Sequence, residues 1–323
     1  MPHHVLAIAS LLAIALLGCV PASLSSDSSK AGDSAASVTG PGIAQPPAYT
    51  IPDTEVVELR SALLQRDYQL FVALPESYRT QPDRRYPVVF VTDANYAFPL
   101  IRAIGARVGA HGKGVQEFIL VGLSYAKGDT PAFSRRRDYT PTTGAPKDAE
   151  PDASGHPPVH GEAERYRRFI AQEVFPLVAS SYRSDMQRKI FAGHSYGALL
   201  GTHILFAEPT MFQHYILGSP SLWFDHDVMF AREQQYAAAH SDLPADVYFG
   251  IGGYEQANAA SDDPRFSAEG DMVGDMHRFE RALASRRYPH LRIASDVIDG
   301  EDHLTVAPII ITRGLLRALP PQR

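Results

Sequence analysis

Apolar residues run along this chain in two rhythms. Tyr68-Gln69-Leu70-Phe71-Val72-Ala73 alternates and predicts an early, half-buried strand. Pro87 to Thr92, Glu117 to Gly122, Arg188 to Ala192, Gln213 to Gly218 and Ala245 to Ile251 are short, nearly unbroken apolar runs. Such runs fit strands covered on both faces. Leu291 to Val297 predicts one more strand. Glu162 to Tyr182 carries Tyr166, Phe169, Ile170, Val174, Leu177 and Val178 at helical spacing. Ala198 to Ala207 predicts a buried helix stopped by Pro209. Asp271 to Tyr288 and the segment after His303 predict two further helices. Strands alternating with helices predict an α/β fold, with a mainly parallel central sheet and helices on both faces. In such sheets reactive side chains collect at the carboxyl ends of the strands.

Two stretches break the rhythm. Residues 127–160 are rich in Gly, Pro and acidic residues and show no period, so they predict a long surface excursion. At the start, Val5 to Gly18 is apolar apart from Ser10 and too short for a membrane span. It reads as the core of a secretory signal, although His3 and His4 precede it where Lys or Arg is usual. Leu16-Leu17-Gly18-Cys19 resembles a bacterial lipobox, in which cleavage leaves the cysteine as a lipidated N-terminus. The expected organisation is therefore a lipoprotein-type signal over 1–19 and a disordered Ser/Ala/Gly/Pro-rich tether over 20–48, followed by a single catalytic domain over 49–323. The expected place is the cell envelope on the periplasmic side, with the outer membrane as partner through lipid at Cys19. An uncleaved anchor or an ordinary secretory signal is the alternative.

Composition removes some functions. Cys19 is the one cysteine, which excludes a disulfide within the chain. The formal net charge is −6 and no basic face is visible, so a nucleic-acid partner is not expected.

The chemistry centres on Gly193-His194-Ser195-Tyr196-Gly197, which has the G-x-S-x-G form of a nucleophile elbow. The strand 188–192 before it and the helix from 198 after it supply the context that such a turn requires. Small residues two before and two after the serine let strand and helix approach. A serine hydroxyl needs a base. In this architecture an acid and then a histidine follow in chain order. His303, in Gly300-Glu301-Asp302-His303 after the last strand, is the candidate base. Glu255, at the exit of the strand before it, is the candidate acid, with Asp299 and Asp302 as rivals. The backbone N–H of Tyr196 and of Ala94 are the candidate oxyanion donors, with Asp93 close behind Ala94. His203 and His214 are read as packing or capping residues, and His194 as a flank of the nucleophile. His156 and His160 are separated by Pro157-Pro158, which breaks the helix that would align them, so no metal site and no cofactor are expected.

Four stretches carry a family resemblance: Arg135-Arg136-Arg137-Asp138-Tyr139-Thr140-Pro141; Phe169 to Pro176 with Tyr182-Arg183; Ser219-Pro220-Ser221-Leu222-Trp223; and Gly300 to His303. Together they resemble the putative-esterase family of α/β-hydrolases, within it the siderophore trilactone esterases of enterobactin and salmochelin type. The resemblance spans about residues 50–320. It implies the α/β-hydrolase fold and hydrolysis of a small-molecule ester through an acyl-enzyme, without metal. By position it makes Ser195 nucleophile and His303 base. Some siderophore esterases work with a Ser–His dyad, which leaves the acid open. Arg135, Arg136 and Trp223 are candidate contacts to an anionic, aromatic substrate. Their alternatives are an ion pair to Asp138 with the other arginines solvated, and a core position for the tryptophan. The alternative functions are a short-acyl or feruloyl esterase, an acyl transferase, and a non-catalytic ligand-binding lipoprotein.

Overall fold

The computed structural model describes residues 48–109, 114–144, 150–258, 260–267 and 270–321. The expected signal with Cys19, and the expected tether up to residue 47, lie outside the described residues. The sheet and its helices belong to the compact unit Thr50–Arg323.

Strands β1 (Thr54–Arg60), β2 (Asp67–Ala73), β3 (Tyr86–Val91), β4 (Ile119–Leu123), β5 (Ser184–His194), β6 (His214–Gly218), β7 (Ala245–Gly252) and β8 (Leu291–Ile298) form one sheet. Their spatial order is β1-β2-β4-β3-β5-β6-β7-β8. The β1–β2 and β2–β4 pairs are antiparallel and every later pair is parallel. Helices α1 (Ala94–Val108), α2 (Pro131–Tyr139), α3 (Ala163–Phe169), α4 (Phe175–Ser181), α5 (Tyr196–Ala207), α6 (Phe224–Ala239), α7 (Met272–Ser285) and α8 (Ala307–Ala318) complete the unit. This is the α/β-hydrolase arrangement.

The unbroken apolar strands have a packing reason. Val88 and Phe90 point into one core, with Phe169, Leu200 and Phe279 from the helices on that face. Val89 and Val91 point into the other, with Phe98 of α1 and Ile310 of α8. Alternate residues thus bury against opposite helix layers, and no position is left for a polar side chain.

Three expectations change. β1 was not among the expected strands. It is an edge strand with four of its seven residues exposed, so its apolar signal is thin. The expected continuous helix over 162–182 is interrupted by a π-helical turn at Ile170–Val174, just before Pro176. Proline has no N–H to donate within a helix, which explains the break in register there. Residues 127–160 are not structureless. Thr130 caps α2 by accepting from Phe133 N at 3.2 Å, and Pro131 starts it.

Candidate active site

The elbow is built by backbone strain. β5 ends at His194, and Ser195 follows with φ 59° and ψ −120°, a region that L-residues rarely occupy. Its N–H still bonds Gly218 O at 2.9 Å, so the end of β6 holds the turn. A Cβ on Gly193 would lie 2.5 Å from the backbone of Gly197, and one on Gly197 would lie 2.3 Å from Thr92 Oγ1. The first methyl would force β5 and α5 apart, and the second would push α5 away from the residues after β3. The second contact also shows that the start of α5 abuts the residues leading into α1.

The Glu255 carboxylate comes from the turn after β7 and is only 4% exposed. Its Oε1 accepts from Ser219 Oγ at 2.6 Å and from Gly252 N at 2.9 Å. Its Oε2 lies 2.6 Å from His303 Nδ1. This contact fixes the proton on Nδ1 and leaves Nε2 as the basic nitrogen. A Cβ on Gly252 would lie 2.5 Å from Glu301 O, so only a glycine lets the histidine loop lie this close to the exit of β7. Asp302 is otherwise engaged, accepting from Leu304 N and Thr305 N at 2.8 and 2.9 Å. Asp299 is exposed. Ser195 Oγ has its hydrogen-bond contact with Ser221 Oγ at 3.4 Å rather than with His303. Unliganded hydrolase sites often show the serine–histidine contact open, and it tightens on substrate binding.

Both candidate oxyanion donors head helices. Tyr196 is the first residue of α5 and Ala94 the first of α1, where backbone N–H groups are unpaired and the helix dipole favours negative charge. The Asp93 N–H is engaged with Tyr139 Oη at 3.3 Å, which leaves Ala94 as the candidate donor of that loop.

The arginine run divides three ways. Arg137 is buried and pairs with Asp138 at 2.7 Å and Asp129 at 2.8 Å. Arg136 donates to Glu150 O at 2.7 Å. Arg135 is half-buried and paired rather than free in solvent: its Nε lies 2.6 Å from Asp93 Oδ1, and its Nη2 donates to His194 O at 3.4 Å. Burial pulls the Arg135 guanidinium down, but Asp93 together with Tyr96, Tyr139 and Tyr125 leaves it raised. Burial raises the Tyr196 hydroxyl against the opposing pull of Arg136 and Arg135. Trp223 is 41% exposed, which corrects its alternative reading as a core residue. Its ring lies 6.2 Å from that of Tyr196, and Phe224 lies 5.8 Å from Tyr196. Phe224 is buried beneath them, so Trp223 and the half-buried Tyr196 form an aromatic shelf, with Arg135 5.7 Å from the Tyr196 ring.

Sequence reasoning missed Ser219, which orients Glu255, and Ser221, the neighbour of Ser195. Both lie in the Ser219-Pro220-Ser221 segment that the family resemblance had singled out. His203 is bridged to Glu164 at 3.2 Å and packs as expected. His160 packs on Phe224, while His156 bonds Asp152.

His194 does more than flank the serine. Its ring lies 4.6 Å from that of His303, and its Nε2 is buried with no hydrogen-bond partner among the described residues. Burial, reinforced by His303 and Arg135, pushes its pKa from 6.5 to about 3. Between those values the unfolded state binds a proton that the folded state does not. Stability therefore falls as pH is lowered through that window. Melting temperatures measured from pH 6.5 to 4 are expected to drop less for His194→Gln than for the parent protein; equal slopes would contradict this assignment.

Comparison with known proteins identifies the family and the fold. Residues 61–309 match the family model described as "Putative esterase". The chain is similar to the ferri-bacillibactin esterase BesA of Bacillus subtilis, 30% identical over 280 residues covering 85% of this chain and 92% of that protein. It is also similar to the siderophore enterobactin esterase of Emericella nidulans, 27% identical over 77% of this chain and 88% of that one. Among solved structures, the BES protein of Bacillus cereus superposes with a TM-score of 0.69 at 25% identity, covering 85% of this chain and 99% of that chain.

Proposed function

Since this chain belongs to the putative-esterase family and is a carboxylic ester hydrolase, we propose that it opens siderophore trilactones through an acyl-enzyme on Ser195. The observation that carries the reading is the run of contacts Ser219–Glu255–His303 beside the strained Ser195. His303 Nε2 takes the Ser195 proton as Oγ adds to the ester carbonyl. The oxyanion forms at the N–H groups of Tyr196 and Ala94. Collapse breaks the ester bond, and the imidazolium gives its proton to the leaving alkoxide. A water molecule then attacks the acyl-enzyme by the same route, and Ser195 is restored. Glu255 holds the imidazole and stabilises its charged form without taking its proton.

The aromatic shelf and the guanidinium groups favour an acyl partner that is both aromatic and anionic, as a catecholate siderophore carrying iron would be. Trp223, Arg136 and the exposed edge of Arg135 are assigned to that contact. The names of the Bacillus and Emericella relatives point the same way. Anchoring through lipid at Cys19, on the periplasmic side of the envelope, is the setting proposed from the sequence. The test is kcat/KM on a catecholate trilactone, a feruloyl ester and p-nitrophenyl acetate. The trilactone is expected to be the best substrate. A trilactone value below the short ester would refute the siderophore assignment and leave a general esterase.

A further inference from the structure

One face of α2 reaches both loops that offer oxyanion donors. Arg135 and Tyr139 lie four residues apart and so share that face. Arg135 meets the Asp93 carboxylate at 2.6 Å, while Tyr139 Oη accepts the Asp93 N–H at 3.3 Å. A third partner, Tyr125 at the end of β4, donates to the same carboxylate at 2.7 Å. Asp93 is almost fully buried and holds a left-handed conformation, φ 56° and ψ 42°, immediately before Ala94. Non-glycine residues stay in that region only when their surroundings over-determine them. Here the surroundings are α2 and Tyr125. On its other side the Arg135 guanidinium donates to His194 O and lies 5.7 Å from the Tyr196 ring. Those are the two residues that bracket Ser195.

We propose that Arg135, Tyr139 and Asp93 are positioning residues that set the spacing and direction of the Ala94 and Tyr196 N–H groups, independently of any charge on the substrate. The inference rests on the esterase reading of Ser195. It adds a part that substrate recognition does not require. If Arg135 served only to attract an anion, its loss would raise KM for anionic esters and leave neutral ones untouched. As a strut it acts on every ester, because every tetrahedral intermediate uses the same two donors.

The experiment uses p-nitrophenyl acetate, which carries no charge, with the full chain and the variants Asp93→Asn, Arg135→Gln, Tyr139→Phe and Asp93→Asn/Arg135→Gln. Each is expected to lower kcat by about 10- to 100-fold, less than outright deletion of a donor, with KM changed by no more than about twofold. The affinity of a trifluoromethyl ketone analogue should fall by the same factor as kcat/KM. Removing one charge leaves its partner buried and unpaired, so the single variants also lose stability. The double variant removes both charges and regains melting temperature, yet its kcat stays low and its loss is no greater than that of the worse single variant. Tyr139→Phe keeps the ion pair, so it reports on the backbone contact alone. Unchanged kcat on p-nitrophenyl acetate, or recovery of kcat together with stability in the double variant, would overturn the proposal. Activity retained by Ser195→Ala would instead overturn the esterase reading beneath it.

Discussion

Replacing Ser195 by Ala is expected to remove ester hydrolysis, with kcat on p-nitrophenyl acetate falling about 10⁴-fold or more. The alanine deletes the one hydroxyl that the elbow lifts to the carboxyl edge of the sheet. Little else changes, because among the described residues Ser195 Oγ has a single hydrogen-bond contact, to Ser221 Oγ at 3.4 Å. The Ser221 hydroxyl cannot take over. It lies beyond the end of β6, whereas Ser195 directly precedes the first N–H of α5. Folding should be preserved, since the N–H of residue 195 keeps its bond to Gly218 O. The check is the rate combined with an unchanged melting temperature and circular dichroism spectrum.

The second large effect is at Glu255. Glu255→Gln is nearly the same shape, yet kcat is expected to fall by about 10²- to 10⁴-fold near neutral pH. Oε1 now accepts from both Ser219 Oγ and Gly252 N. A glutamine must direct its carbonyl oxygen there, because its amide group would confront the Gly252 N–H. The amide then faces His303 Nδ1 and donates to it. That contact moves the imidazole proton to Nε2, and the nitrogen meant to accept the serine proton is blocked. A loss smaller than about tenfold would mean that serine and histidine suffice as a dyad.

β3, β4, β6 and β7, with the last part of β5, were legible because they are buried on two faces and must be apolar there. The elbow was legible for a different reason. Its glycines answer to close approaches, Gly193 against Gly197 and Gly197 against Thr92, that leave no room for a Cβ. The order serine, acid, histidine put forward His303 and, with Asp299 and Asp302 as rivals, Glu255, and the fold brings Glu255 and His303 to 2.6 Å. What stayed hidden has a physical cause in each case. The inward face of α2 is Ser134, Arg137, Asp138 and Tyr139, so hydrophobic periodicity is silent there and only Thr130-Pro131 marks a helix start. Ser219 meets Glu255 from a neighbouring strand, 36 residues away, and no local pattern encodes that contact. The exposure of Trp223 depends on how α6 begins, which residue type alone does not fix.

These parts converge on a single nucleophile. Its most direct test is peptide mapping by mass spectrometry after treatment with diisopropyl fluorophosphate, following activity on p-nitrophenyl acetate in parallel. One adduct per chain, on Ser195, accumulating in step with the loss of activity, is the predicted result. Inactivation with the adduct on another residue, or full activity with Ser195 modified, would contradict it.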